Sequence, residues 1–352
     1  MAIFREVGRR GDFILRQDVA IFEQRLQEFL GVRHAVGLAD CTNAMLLGLR
    51  ALGVGPGDEV VLPSHAFVAA AQAIHYSGAT PLPVELGADR LVDPASIERA
   101  ITPRTRALMP VHLNGRVCDM QEILAIAERH HLLVIEDAAQ ALGATYRGRF
   151  AGTFGGAGCF SFYPAKLLGC LGDGGALVTD DDDLAATVRS MRNHGANEDR
   201  VVEIWGTNCR LDNLQAAILN AKLDHFRADL ERRRAIARHY HEGLAGIEDL
   251  GLPPGPDDDP EHFDCFQNYE IESGRRDALR AHLSAHGIGT IVQWGGVPLH
   301  QMRFLGFTQE LPRTDRFFER CLLLPMNQFL EDDELAYIIA TIRGFYGLEA
   351  GH

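Results

Sequence analysis

A chain of 352 residues exceeds what one compact core usually holds, which predicts a large domain over residues 1–240 and a smaller one over 241–352. Hydrophobic residues at 46% and charged residues at 23% are the mix of an ordinary soluble globular protein. A net charge of −14 argues against a general nucleic-acid binder, which needs a basic face, and against adhesion to an anionic membrane.

"MAIFREVGRRGDF" opens the chain without a long apolar run, so no signal peptide is expected, and no later stretch approaches the roughly 20 apolar residues of a membrane span. Strand and helix patterns then alternate. "HAVGL" (34–38) reads as a strand and "TNAMLLGLRAL" (42–52) as a helix. "EVVLP" (59–63) reads as a strand and "AFVAAAQAIHYSG" (66–78) as a helix closed by glycine. "RALMPV" (106–111), helical "DMQEILAIAERHH" (119–131) and "LLVIED" (132–137) repeat the cycle. Such alternation means βαβ units and a mostly parallel sheet sandwiched by helices, with ligands expected beyond the C-terminal strand ends. The acidic run Asp180–Asp183 reads as the start of a helix, where carboxylates offset the dipole.

After residue 210 "LDNLQAAILNAKLDHFRADLERRRAIARHYHEGL" reads as one long helix, straight or kinked, with Arg232–Arg234 on a solvated face. "GLPPGPDDDPEH" (251–262) reads as a hinge or exposed turn. "CFQNYEI" and "GIGTIVQW" read as strands around the helix "RRDALRAHLSAHG", which makes the smaller domain α+β. The seven cysteines form no C-x-x-C pair. They suggest neither a disulfide framework nor a zinc site but reduced thiols, hence a cytoplasmic location.

"SFYPAKLLGCLGDGGA" (161–176) holds Lys166, one of only two lysines in a chain that otherwise uses arginine. A lysine desolvated among apolar and glycine residues has a depressed pKa and can attack a carbonyl to form a Schiff base. A P-loop does not fit, because that motif places its lysine after the glycines. The trailing glycines read as letting the backbone pass close to a ligand. Asp137 ends a strand in "VIEDAAQALGA", where it suits a helix N-cap, a metal ligand or the partner of a protonated pyridine nitrogen. No metal-spaced cluster accompanies it, so no metal is expected. Gln140 is close enough to touch the same ligand. Thr42 opens a helix and suits either simple capping or phosphate binding, and Ser161 is a further phosphate donor. Phe67 follows a strand and suits either the core or a ring stacker. Together these residues fit a pyridoxal phosphate (PLP) site.

"VIEDAAQALGA", "SFYPAKLLGCLGDGGALVT", "MRNHG", "GTNCRLDNLQAAIL" and "PRTDRFFERCLLLPMNQFL" closely resemble the DegT/DnrJ/EryC1/StrS aminotransferases, from about residue 12 onward. The resemblance implies a PLP fold-type I enzyme that cycles between PLP and pyridoxamine phosphate (PMP). Lys166 would bind the cofactor covalently and move protons, and Asp137 would pair with the pyridine nitrogen. Phe67 would stack on the ring and Gln140 would contact the phenolic oxygen. Thr42, the backbone of Asn43, and Ser161 would hold the phosphate, joined by Asn208 from the second subunit of a homodimer. Arg210 would bind a substrate or donor anion.

The implied reaction moves an amino group from L-glutamate to a nucleotide-linked keto sugar. C4 of dTDP-4-keto-6-deoxyglucose is the preferred position, with C3 and ketocyclitol amination as alternatives. A PMP-dependent dehydratase is disfavoured, because such relatives replace the lysine by histidine; a non-catalytic regulator is disfavoured by the intact set of site residues. His65, Asn114 and Gln293–Trp294 depart from the commoner family wording (threonine, an aromatic, and histidine–tyrosine). With His300, they are the candidate residues of the sugar pocket. Members of the family often carry a further N-terminal leader than this chain shows.

Overall fold

The computed structural model describes residues 2–348. Seven apolar segments form one sheet, in the order His34–Leu38, Gly175–Thr179, Ala157–Ser161, Leu133–Asp137, Thr105–Leu108, Glu59–Pro63, Thr80–Val84. Gly175–Thr179 pairs antiparallel with both its neighbours, and the other strands of this sheet run in one direction. Leu38, Pro63, Leu108, Asp137 and Ser161 therefore all end at one edge, where the chain turns into loops and helix starts. Burial on both faces explains the near-continuous apolar runs, since helices cover each side.

Most helix and strand expectations hold to within a few residues: Cys41–Ala51, Val68–Ser77, Met120–His130 and Arg276–Ala285 are helices. Asp181 caps the helix Asp182–Met191 by accepting from the backbone N–H groups of Asp183 and Leu184, as the acidic run suggested. Three expectations fail. The single long helix after residue 210 is two, Asn213–Leu223 and Phe226–Leu244. Arg25 explains how the break is tolerated, because its guanidinium donates to the freed Asn220 carbonyl at 2.5 Å and to Asp224 at 2.7 Å. "GIGTIVQW" contributes only an isolated bridge between Ile291 and Leu323. Trp294 and Gly295 then take positive φ angles of 53° and 68° and bend the chain away from any ladder.

The third failure is Arg232–Arg234, which is no solvated face. Arg233 and Arg234 are buried. Arg233 donates to the carbonyls of Phe266 and Gln267, each at 3.2 Å. Arg234 donates to those of Asp264 and Pro256, and its guanidinium lies 4.1 Å from the centre of the Phe263 ring. Five-donor guanidinium groups suit backbone oxygens that no ladder satisfies. The charge run thus fastens the segment linking the two parts of the chain.

Two main cores result. Helix Phe226–Leu244 serves both: Phe226 and Leu230 pack in the larger one, and Ile236, Tyr240 and Leu244 in the smaller. The smaller core backs a three-stranded antiparallel sheet of Leu250–Gly251, Tyr269–Ser273 and Cys321–Leu324. Among the described residues no helix is long and apolar enough to cross a membrane.

Candidate active site

A cavity of about 670 Å³ opens at the common strand edge, a size suited to a small-molecule ligand. Lys166, Asp137, Gln140, Thr42, Ser161 and Phe67 all line it, as does Trp294. They come from separate strand ends, which is how a parallel sheet gathers residues distant in sequence.

Lys166 stands in a turn closed by its own N–H to the Tyr163 carbonyl at 2.8 Å. Gln267 grips this turn from both sides. Its Oε1 accepts from the Leu167 N–H and its Nε2 donates to the Ala165 carbonyl, both at 2.9 Å. The second lysine serves the same loop, with Lys222 Nζ donating to the Gly169 carbonyl at 2.6 Å. Burial lowers the Lys166 pKa below the ordinary lysine value, against the opposing pull of Asp137 and Cys41. More neutral amine, in a fixed place, is what a nucleophile and proton carrier requires.

Asp137 is buried, and one carboxylate oxygen accepts from the Ala139 N–H at 3.1 Å. Burial pushes its pKa above the ordinary carboxylate range, although Ala139, Lys166 and His112 pull the other way. A carboxylate so placed gains from a cation in the cavity.

The other end of the cavity is the N-terminus of the helix Cys41–Ala51. Gly175 lies in register with both Leu38 and Ser161. A Cβ on Gly175 would fall 2.3 Å from the Asp40 carbonyl carbon and 2.6 Å from the Cys41 nitrogen. The missing side chain lets the helix start fold over the sheet edge beside Ser161. Gly169 and Gly174 likewise abut protein atoms, of Pro164 and Cys170. The glycine run thus serves close packing of the chain on itself, where the sequence suggested backbone approach to a ligand. Asn43 does not line the cavity: its N–H donates to Asp40 Oδ1 at 2.8 Å and its side chain to Asp40 Oδ2 at 2.7 Å. The cap takes up the backbone group that was expected to bind phosphate, leaving Thr42 and Ser161.

Phe67 is 53% exposed, and its ring centre lies 5.2 Å from that of Trp294. Gln293 lines the cavity too, whereas the remaining sugar-pocket candidates, His65, Asn114 and His300, do not. His65 is buried and bonded to Gln293. His300 is buried between Ser64 Oγ at 2.7 Å and Asp315 Oδ1 at 2.8 Å, where it ties the segment after residue 297 to the strand edge. Asn114 contacts Gln140, Asn268, Glu270 and Gln293 rather than the cavity. Arg210 is outside the lining and donates to Asn193 at 3.0 Å; Asn208 is exposed and pairs with Asn193 through a backbone bridge.

Sequence reasoning passed over Tyr163, Asp173, Gln267 and Asn268, all of which line the cavity. For the last two a signal existed, namely two adjacent amides just before a buried tyrosine in "CFQNYEI". No group of histidine, cysteine or acidic side chains suited to a metal occurs among the described residues, and the seven cysteines are buried and free.

The chain is similar over nearly its whole length to known proteins. The model of the DegT/DnrJ/EryC1/StrS aminotransferase family matches residues 1–343. A dTDP-3-amino-3,4,6-trideoxy-alpha-D-glucose transaminase of Streptomyces venezuelae is 43% identical, the match covering 95% of this chain and 88% of that protein. A UDP-N-acetyl-3-dehydro-alpha-D-glucosamine 3-aminotransferase of Acidithiobacillus ferrooxidans is 42% identical, over 94% and 89%. The crystal structure of DesV from S. venezuelae in complex with a ketimine intermediate superposes with a TM-score of 0.94. It is 42% identical, over 98% of this chain and 93% of that one.

Proposed function

The chain belongs to the DegT/DnrJ/EryC1/StrS aminotransferase family and is a PLP-dependent sugar-nucleotide transaminase, and we propose that it moves an amino group from L-glutamate to C3 of a dTDP-linked keto sugar. The sequence favoured C4. The names of the relatives at 43% and 42% identity favour C3 instead, because both place the amine there.

The residues fit PLP. One cavity joins a half-buried lysine, a buried carboxylate in need of a cation, an exposed aromatic ring, and two hydroxyls beside a helix N-terminus that any side chain at Gly175 would close off. When bound, PLP supplies an electron sink that makes the proton next to the transferred nitrogen acidic. Asp137 would hold the pyridine nitrogen in its charged form. Thr42 and Ser161 would hold the phosphate, and Phe67 would cover one ring face. Lys166 Nζ would carry the proton between substrate and cofactor, at a pKa that burial brings down. The juxtaposition of Lys166 and Asp137 in one cavity carries the reading.

Asn208 is the candidate contribution of a second subunit. It stands beside exposed Val201, Val202 and Trp205, the last 97% exposed, which is the kind of apolar surface a homodimer covers. Mixing Asn208→Ala and Lys166→Ala proteins should restore some activity through hybrid sites; fully exchanged dimers that stay inactive would count against a shared site. The catalytic reading is tested by loading the protein with PMP and offering nucleotide-linked keto sugars. A competent sugar restores the aldehyde absorption, and a panel of 3-keto and 4-keto sugars that leaves the spectrum unchanged would overturn the assignment.

A further inference from the structure

The three departures from the family wording, His65, Asn114 and Gln293, are parts of one hydrogen-bonded unit, and Asn114 is its centre. Asn114 takes the left-handed conformation, with φ 58°, and Gly115 follows at φ 94°. A Cβ on Gly115 would press to within 2.9 Å of Cys265 Sγ and the nitrogens of Phe266 and Gln267, so this turn lies directly against residues 265–267. Asparagine tolerates that backbone better than the aromatic residues commoner there.

From this position Asn114 makes four hydrogen bonds. Its backbone N–H donates to Gln140 Oε1 at 2.7 Å, and its Nδ2 donates to Glu270 Oε2 at 2.7 Å. Its Oδ1 accepts from Asn268 Nδ2 at 2.8 Å and from Gln293 Nε2 at 3.2 Å. Each bond sets the direction of an amide. With Oε1 turned to Asn114, Gln140 directs its NH₂ the other way. With Nδ2 turned to Asn114, Asn268 directs its carbonyl oxygen the other way. Gln293 also lines the cavity but is held at both ends, because its Oε1 meets His65 Nε2 at 3.2 Å. Among these amides only the Asn268 oxygen has no donor from the described residues, so Asn268 supplies the acceptor on a cavity wall where Gln140 supplies a donor.

We infer that Asn268 Oδ1 accepts a hydrogen bond from one hydroxyl of the sugar substrate, and that Asn114, through its bonds to Asn268 and Glu270, is the positioning residue that keeps this acceptor turned into the cavity. This rests on the sugar-transaminase reading and adds a specificity contact to it. An acceptor that the bound sugar covers and a deoxygenated sugar leaves unmet weakens binding by about 10- to 100-fold.

The test uses the PMP form of the full chain and aminated dTDP sugars carrying the amine at C3 or C4, which cannot react with PMP. Their dissociation constants are measured by calorimetry, beside those of analogues lacking one ring hydroxyl at a time. One analogue should bind the wild type about 10- to 100-fold more weakly than its parent, and Asn268→Leu should bind parent and analogue within about threefold of each other. Asn114→Asp, which keeps the size of the side chain but sets a carboxylate against Glu270, should shrink the same ratio. If every analogue binds the wild type as well as its parent, the inference falls, whether or not the variants fold. If no aminated sugar nucleotide binds at all, it is the sugar-transaminase reading that falls.

Discussion

Replacing Gln267 by leucine keeps the volume of the side chain and removes both of its bonds to the lysine loop. The Leu167 N–H loses its partner inside the protein, because Leu167 is buried. An unmet buried donor costs about 1–3 kcal/mol. The Ala165 carbonyl belongs to an exposed residue and can rehydrate, so that bond adds only about 0.5–1.5 kcal/mol. Opening of residues 163–171 should become easier by about 1.5–4.5 kcal/mol, or roughly 10- to 1500-fold at about 1.4 kcal/mol per decade. Hydrogen–deuterium exchange of that segment, followed by mass spectrometry, reads this directly, with segment 120–130 as an internal standard that should not change. Turnover should fall as well, because Lys166 loses its fixed place. Gln267→Glu retains the acceptor for Leu167, so its exchange should lie between the two. Exchange of 163–171 in the leucine variant within about twofold of wild type would refute the clamp.

The remaining predictions concern the cofactor end and the buried carboxyl. Asp137→Asn should fold normally and lose at least about 100-fold in turnover, since a neutral amide cannot hold a pyridinium; steady-state kinetics check this. Gly175→Ala should raise the PLP dissociation constant about tenfold or more and cost about 1–3 kcal/mol of stability, because its methyl group meets the backbone of Asp40 and Cys41; fluorescence titration and urea unfolding measure the two effects. Burial raises the Glu270 pKa from 4.5 to about 7, against the pull of Arg90 and Asn114. A carboxyl with a raised folded-state pKa contributes stability that is fully present below pH 4.5 and lost as pH rises through about 7. Glu270→Gln should therefore gain on the wild type by about 2–3 kcal/mol between pH 5 and pH 8 in urea unfolding, and an unchanged gap between the two proteins would contradict this.

Alternation of strand and helix made the sheet legible, because each βα unit carries its own local signals in glycines, caps and apolar runs. The cofactor end was legible for the same reason: Asp137, Ser161 and Thr42 stand at or just beyond strand ends, and one sheet brings them together. Long-range partners decided the features that were misread. Arg233 and Arg234 look like surface charge until the carbonyls of residues 256, 264, 266 and 267 arrive from another part of the chain. Asn43 was expected to face phosphate, but the carboxylate three residues earlier claims its N–H. His65 and Asn114 were read as facing the sugar, yet they stand one layer back, bonded to the lining residues Gln293 and Asn268. No periodicity reveals that, because hydrogen bonds between residues 154 to 228 positions apart leave no local pattern.

The most direct test of the whole account is transfer of nitrogen from ¹⁵N-labelled glutamate to a dTDP-linked keto sugar, with the product examined by NMR. The account predicts ¹⁵N bound to C3 of the sugar with the wild-type protein, and none with Lys166→Ala. Label at C4 would restore the position that the sequence first favoured. Label transfer undiminished in Lys166→Ala, or no label in any keto sugar with PLP-loaded wild type, would contradict the central claim.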